Sequence, residues 1–204
     1  MEIKKVSFFT SMKKPVDYPN NGLPEVAFAG KSNVGKSSLI NYLTNHSKLA
    51  YVSKQPGKTR LINYFLINDA CYIVDLPGYG FARVSKDEKE SWAGMMEAYF
   101  GVARYLRALV ILIDIRHKPT QDDLQMLEWA VHFNIPFMVA ATKADKIAKS
   151  KRYNYTVQMA KHIEAELDMD MEFMIVPVSA TGKLGKDKVL EYVGKMTMPQ
   201  EAAE

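Results

Sequence analysis

Residues 30–37 read GKSNVGKS, a Gly-x-x-x-x-Gly-Lys-Ser spacing in which each position has its own chemical task. Glycines at 30 and 35 let the backbone turn its N–H groups inward around phosphate oxygens, and a helix starting just after adds its positive dipole end. Lys36 supplies a mobile point charge for the β- and γ-phosphates, and the Ser37 hydroxyl is an oxygen ligand for Mg²⁺. Lys31, Ser32, Val34 and Ser38 complete the stretch expected to line a nucleotide's phosphates, together with Asn33.

Residues 75–80 read DLPGYG and hold an Asp-x-x-Gly pattern. Asp75 ends an apolar run, so its carboxylate is expected to emerge beside the phosphate loop and hold Mg²⁺ through a coordinated water. Leu76 and Pro77 lead to Gly78, whose backbone N–H can approach a γ-phosphate with no side chain in the way. Many hydrolysing switches place Gln next, to orient the attacking water, but Tyr79 stands there. A phenol cannot both accept from and donate to a water as a carboxamide does, so slow intrinsic hydrolysis is expected. Between the two motifs, residues 46–60 are polar and lack apolar periodicity, which fits a loop crossing the site. Within it Gly57 and Lys58 precede Thr59, the candidate to complete the Mg²⁺ shell when a γ-phosphate is present, with Ser53 as its rival. Lys36, Thr59 and Gly78 form the expected catalytic set.

A third cluster reads TKAD, with Thr142, Lys143, Ala144 and Asp145 following an apolar run. A carboxylate at Asp145 can accept from the N1–H and N2–H₂ edge of guanine, donors that adenine lacks. Lys143 can lay its aliphatic stem over the purine and return its ammonium toward the phosphate loop. Farther on, Val178, Ser179 and Ala180 follow the last apolar run, and the Ala180 backbone N–H is placed to meet guanine O6.

The elements that must carry these residues follow from apolar periodicity. Short runs at 25–30, 61–68, 71–76, 108–114, 136–142 and 173–179 read as strands, and stretches at 38–45, 88–103, 120–133, 150–167 and 186–196 as helices. The short spacing between 61–68 and 71–76 predicts an antiparallel hairpin. The alternation predicts an α/β three-layer sandwich around a mostly parallel sheet of about six strands with one antiparallel edge strand. Ligands of such sheets bind at the carboxyl ends of the strands, where all three motifs fall. Residues 1–23 are expected to be an arm, 24–197 a single nucleotide-binding domain, and 198–204 a polar tail.

The boxes GKSNVGKS, Thr59, DLPG, TKAD and VSA stand in the order of the five boxes of Ras-like, translation-factor-class GTPases. More closely, LPEVAFAGKSNVGKSSLIN, QPGKTR, DLPGYGFARVSK and IDIRHKPTQDD resemble the EngB family, also called YihA or YsxC, over about residues 20–195. The resemblance implies a P-loop GTPase that binds GTP and GDP with Mg²⁺ and assists assembly of the large ribosomal subunit, with a link to cell division and septation. It also implies that an Asn in the phosphate loop of related GTPases without Gln helps hold a potassium ion, a role that would fall to Asn33. The other reading of Asn33 is an Asx-type hydrogen bond that stabilises the loop. Tyr79 then leaves hydrolysis to be helped by that ion or by the ribosome, with Tyr79 itself part of a partner-sensing surface. SAT replaces the commoner SAK or SAL of the last box, so only Ser179 and Ala180 carry over.

Composition narrows the alternatives. The longest apolar run, Ala108 to Ile113, is far shorter than the ~20 residues of a membrane span. Thr10 and Ser11 stop the apolar stretch after Lys4 and Lys5 before a secretory core forms, so a cytoplasmic protein is expected; a monomer is expected too, though nothing in these residues fixes the oligomeric state. Cys71 is the single cysteine, which excludes an internal disulfide and reads as a buried hydrophobe. Trp92 reads as helix core, and His46, His117, His132 and His162 lack ligand-like spacing. The net charge of +4 fits an RNA partner without requiring one. Lys146, Lys149, Lys151 and Arg152, near Tyr153 and Tyr155, form one basic stretch with aromatics, readable as an rRNA contact or as a solvated helix start; Lys183, Lys186 and Lys188 form a second. A non-catalytic GTP-gated module and a P-loop ATPase or kinase are the rival functions.

Overall fold

A computed structural model describes residues 1–50, 61–80, 85–167 and 172–198. Seven strands form one sheet: β1 (Val6–Met12), β2 (Glu25–Gly30), β3 (Ile62–Ile67), β4 (Cys71–Asp75), β5 (Leu106–Asp114), β6 (Phe137–Thr142) and β7 (Met174–Pro177), in the order β1-β3-β4-β2-β5-β6-β7. β4, β2, β5, β6 and β7 pair in parallel, and β3 pairs antiparallel with both β4 and β1.

The helices are α1 (Lys36–Thr44), α2 (Lys86–Val102), α3 (Gln121–His132), α4 (Arg152–Leu167) and α5 (Lys186–Thr197). Strand side chains alternate between two cores, as a period of two requires. In β5, Leu109, Ile111 and Ile113 join the core under α2, α3 and α4, while Ala108, Val110 and Leu112 join the one under α1 and α5. This double burial explains why the parallel strands read as unbroken apolar runs.

The expected hairpin is present: Ile67 pairs with Cys71 around Asn68 (φ 51°) and Asp69 (φ 56°), the positive-φ pair of a primed turn whose twist suits antiparallel strands. The N-terminus departs from expectation. Residues 6–12 form a strand outside β3, so the sheet has seven strands and β3 is one in from the edge. β1 carries only a short apolar stretch because most of its side chains are not buried; Phe8 and Phe9 stay exposed, with a register shift between Phe8 and Thr10. The Asn68 carboxamide holds its approach, accepting from the Lys4 and Lys5 amides at 2.8 and 3.0 Å and donating to the Glu2 carbonyl at 2.7 Å. Cys71 is buried, and burial pushes its thiol pKa up, as a packing role requires.

Opposite the expected site, at the amino end of β2, Glu25 is fully buried. The Tyr99 hydroxyl donates to its Oε2 at 3.2 Å, whereas Oε1 has no partner. Tyr18, Tyr64 and Tyr99 face this carboxyl, and none carries a compensating positive charge. Desolvation outweighs the favourable influence of the Tyr18 and Tyr99 hydroxyls and raises the Glu25 pKa from 4.5 to about 7. The folded chain thus keeps a proton that the unfolded chain releases. Stability is highest below pH 4.5 on this group's account and falls as pH rises through about 7, by about 3 kcal/mol in total. Glu25→Gln should flatten that slope in urea melts between pH 5 and 8; an unchanged slope assigns the dependence elsewhere.

Candidate functional site

The phosphate loop leaves β2 at Gly30 and enters α1 at Lys36. Gly30 has no room for a side chain: a Cβ there would sit 2.9 Å from Leu112 Cβ and from Val34 Cγ1. Gly35 caps α1 in the left-handed region at φ 109°, and no side chain caps the helix. The first-turn N–H groups of α1, which have no intrahelical acceptor, therefore point into the loop's concavity. Asn33 also has positive φ (64°), which its short polar side chain tolerates, and is exposed. Its carboxamide makes no hydrogen bond among the described residues, so the Asx-type bond is not formed there.

Asp75 ends β4 beside this loop, and the Lys36 ammonium pairs with its Oδ1 in a nearly buried contact. Helix dipole, lysine and glycine amides suit a polyphosphate, while the Ser37 hydroxyl and Asp75 carboxylate are the hard oxygen donors that suit Mg²⁺. The residues present therefore fit a magnesium–nucleotide complex. Among the described residues, no group of three His, Cys, Asp or Glu is placed to hold a metal without such a ligand.

Residues 77–79 are held from both sides. The Trp92 indole donates to the Pro77 carbonyl at 3.2 Å, and the Ser32 amide donates to the Tyr79 carbonyl at 2.8 Å. A Cβ on Gly78 would lie 3.4 Å from the Ser32 amide, so the glycine runs directly against the phosphate loop. The Tyr79 side chain points away from the phosphates: it is 3% exposed, donates to Asp123 Oδ1 at 3.1 Å and packs on Trp92 at 5.3 Å between ring centres. The expectation that Tyr79 contributes to a partner-sensing surface is thus overturned, because its ring is core. Trp92 is core, as expected.

The third cluster assembles at the ends of β6 and β7. Ser179 Oγ donates to Asp145 Oδ1 at 2.6 Å and accepts from the Gly182 amide at 2.8 Å. That bond, aided by Lys146 at 3.3 Å, holds the Asp145 carboxyl below the usual carboxylate range, so it is ionised at neutral pH. Thr142 is buried and donates to the Ile113 carbonyl at 3.3 Å, and the Ala144 amide donates to the Val178 carbonyl at 3.1 Å. An open groove of about 420 Å³ lies between α1 and this cluster, lined by Ser38, Asn41, Tyr42, Asn45, His46 and Ser47 on one side and Ala180 and Thr181 on the other.

Lys143 differs from its expected placement. Its ammonium lies 3.0 Å from Asp114 Oδ2, not over the phosphate loop, and its backbone is left-handed at φ 57°. Burial would raise the Asp114 carboxyl, but Arg116, bonded through Nε at 2.9 Å and Nη2 at 2.7 Å, and Lys143 hold it well below the usual range. Sequence reasoning missed Asp114 and Gly182. Asp114 ends a buried strand as Asp75 does, a signal that was available; Gly182 announces itself only in space, where a Cβ would lie 3.0 Å from Asp145 Cβ. Gly57, Lys58, Thr59 and Ser53 lie outside the described residues. The second basic cluster is broken up: Lys186 donates to the Tyr42 carbonyl and to Asn45 Oδ1, each at 2.7 Å, closing the end of α1.

Comparison with known proteins agrees with this arrangement. The family described as "50S ribosome-binding GTPase" matches residues 25–143. The chain is 49% identical to the "probable GTP-binding protein EngB" of Geobacillus kaustophilus over 189 residues, 92% of this chain and 94% of that protein. It is 45% identical to the protein of the same description from Bacillus subtilis over 196 residues, 96% of this chain and 98% of that protein. A crystal structure of a probable GTP-binding protein engB superposes with a TM-score of 0.64 at 25% identity, covering 85% of this chain and 98% of that one.

Gly30→Ala tests the packing of the loop. With Leu112 Cβ, Val34 Cγ1 and the Leu112 carbonyl as its nearest neighbours it should destabilise by about 1–3 kcal/mol in denaturant melts. A change within error would mean that the loop relaxes freely around Gly30.

Proposed function

The chain belongs to the EngB family of GTP-binding proteins, P-loop GTPases, and we propose that it is a slow, Mg²⁺-dependent GTP switch that assists large ribosomal subunit assembly and thereby supports normal cell division. The observation that carries the switch reading is the convergence, at the carboxyl end of one sheet, of Lys36, Ser37, Asp75 and Gly78 with an ionised Asp145 braced by Ser179. The ribosomal part rests on the family resemblance and on the matched family's description.

In this reading the Asp145 carboxylate accepts the guanine N1–H and N2–H₂ donors, and Ser179 keeps it aimed without competing for its second oxygen. Lys143 and Ala180 border the purine. Lys36 would exchange Asp75 for phosphate oxygens when nucleotide enters, and Ser37 and Asp75, together with Thr59, would hold Mg²⁺. Bound Mg²⁺ supplies neutralisation of charge on the β- and γ-phosphates. Gly78 offers its N–H to the γ-phosphate. No described side chain stands where a Gln would orient water, because Tyr79 is turned into the core. Help in hydrolysis then falls to a potassium ion near the unbonded Asn33 carboxamide, or to the ribosome. Exposed Lys149 and Lys151 beside Tyr153, 76% exposed, are the surface suited to rRNA phosphates and bases. The protein acts as a cytoplasmic monomer.

Two measurements test this. Asp145→Asn should cost at least about tenfold in GDP affinity and in preference over ADP, since the amide cannot accept both guanine donors; retained preference rejects the base-site assignment. Multiple-turnover phosphate release should rise on adding large ribosomal subunits and should be faster in KCl than in NaCl at equal ionic strength. Equal rates in the two salts remove potassium from the mechanism, and indifference to subunits removes the ribosome.

A further inference from the structure

Three residues at the start of α3 reach both sides of the phosphate site from a distance. Asp123 is 3% exposed and uses both carboxylate oxygens. Its Oδ2 accepts from the Thr120 amide at 2.9 Å and the Thr120 hydroxyl at 2.7 Å, closing the first turn of α3, and its Oδ1 accepts from the Tyr79 hydroxyl. One residue earlier, Asp122 Oδ2 lies 4.0 Å from Lys31 Nζ, the second residue of the phosphate loop. Gly80 permits this crossing, because a Cβ there would collide with Lys31 Cε at 2.3 Å.

Tyr79 is therefore pinned at both ends: its carbonyl by the Ser32 amide, its hydroxyl by Asp123. Gly78 lies between this anchor and Pro77, whose carbonyl is held by Trp92. Gly78 thus sits between two anchored neighbours, Pro77 on Trp92 and Tyr79 on Asp123. Burial of Tyr79 and the nearby Asp123 carboxylate both disfavour its phenolate, so the hydroxyl remains the donor.

We propose that the Tyr79–Asp123 hydrogen bond is a positioning device for nucleotide-state discrimination: it lets the start of α3 fix the Gly78 main chain against the phosphate loop, so that its N–H meets a γ-phosphate without prior reordering. Tyr79 is a positioning residue, acting through Gly78 and touching no substrate. The inference rests on the GTP-switch reading above. It replaces a search for catalysis at Tyr79 with a role in distinguishing GTP from GDP, because only GTP presents an atom to Gly78.

Tyr79→Phe removes the hydroxyl and leaves the ring packed on Trp92. Binding of GDP and of a non-hydrolysable GTP analogue to the purified full-length chain should show GDP affinity within about twofold of the parent. Analogue affinity should fall about fivefold, the usual worth of one such hydrogen bond. Asp123→Asn should lower the same ratio, and the double variant should lose no more than Tyr79→Phe alone. An unchanged analogue-to-GDP ratio in Tyr79→Phe, or equal weakening of both ligands, overturns the proposal, since a merely structural bond would shift the melting temperature without moving the ratio. If the parent chain binds neither ligand, the switch reading fails with it; if the parent binds both and only the variant's ratio stays put, the coupling alone is rejected.

Discussion

The Ser32 amide donating to the Tyr79 carbonyl is the contact on which the phosphate site depends. It joins two loops that leave different strands, β2 and β4, and it has a counterpart in the longer Tyr79 amide to Gly30 carbonyl bond at 3.4 Å. Together they form a short parallel bridge between Lys31 and Tyr79, continuing the β2–β4 pairing beyond the sheet. Because β-pairing has a fixed spacing, this bridge sets how closely the two loops approach, leaving the orientation of the Gly78 main chain to the contacts on either side of it. A Cβ on Gly78 would touch the Ser32 and Gly30 backbones at ordinary contact distance, whereas Gly30 is denied a side chain by Leu112 and Val34.

Electrostatics in the same region follow a recurring pattern, in which four acids at the carboxyl edge have a base within reach while Asp123 is held by hydroxyl and amide donors. Asp75 has Lys36, Asp114 has Arg116 and Lys143, Asp122 has Lys31, and Asp145 has Lys146 and the Ser179 hydroxyl. The degree of commitment differs. Asp114 is locked by a bidentate guanidinium, which makes it a support for Lys143, whereas the Lys36–Asp75 pair is a single contact between two nearly buried groups of opposite charge. Such a pair costs desolvation on both sides and is easily exchanged for stronger partners. That property suits a site that must accept a polyanion and a cation together.

Much of this was legible in the sequence, for physical reasons that differ along the chain. Parallel strands buried on both faces leave unbroken apolar runs, so β2, β5 and β6 announce themselves, and glycine and lysine at fixed spacing declare the phosphate loop. β1 was not legible, because a strand whose side chains stay mostly exposed leaves no long apolar run and its anchor, Asn68, lies over fifty residues away in the chain. The Tyr79 side chain was misplaced for the same kind of reason. Its hydroxyl partner Asp123 is 44 residues distant, and nothing in DLPGYG tells whether the ring faces phosphate or core. The direction of Lys143 was missed because Asp114, at the register position beside Thr142, was not weighed as its partner.

The two ends of the sheet solve opposite problems, and the solutions depend on each other. At the carboxyl end Lys143, a residue that gains nothing locally from the left-handed region, is held there at φ 57°. At the amino end, Tyr64, Tyr72 and Tyr99 are fully buried around Glu25, and Asn21, Tyr18 and Tyr105 close the cluster. That end carries dense apolar packing and nothing that needs to move. Strain of about 1–3 kcal/mol per residue persists only where the surroundings over-determine it. Here the surroundings are continuous strands, β2 and β6, whose central residues are fully buried and whose last residues open directly into the loops at Gly30 and Thr142. The rigid half of each strand thus supplies the geometric constraint that its functional end uses, which is why a site built from loops can hold an ångström-scale arrangement.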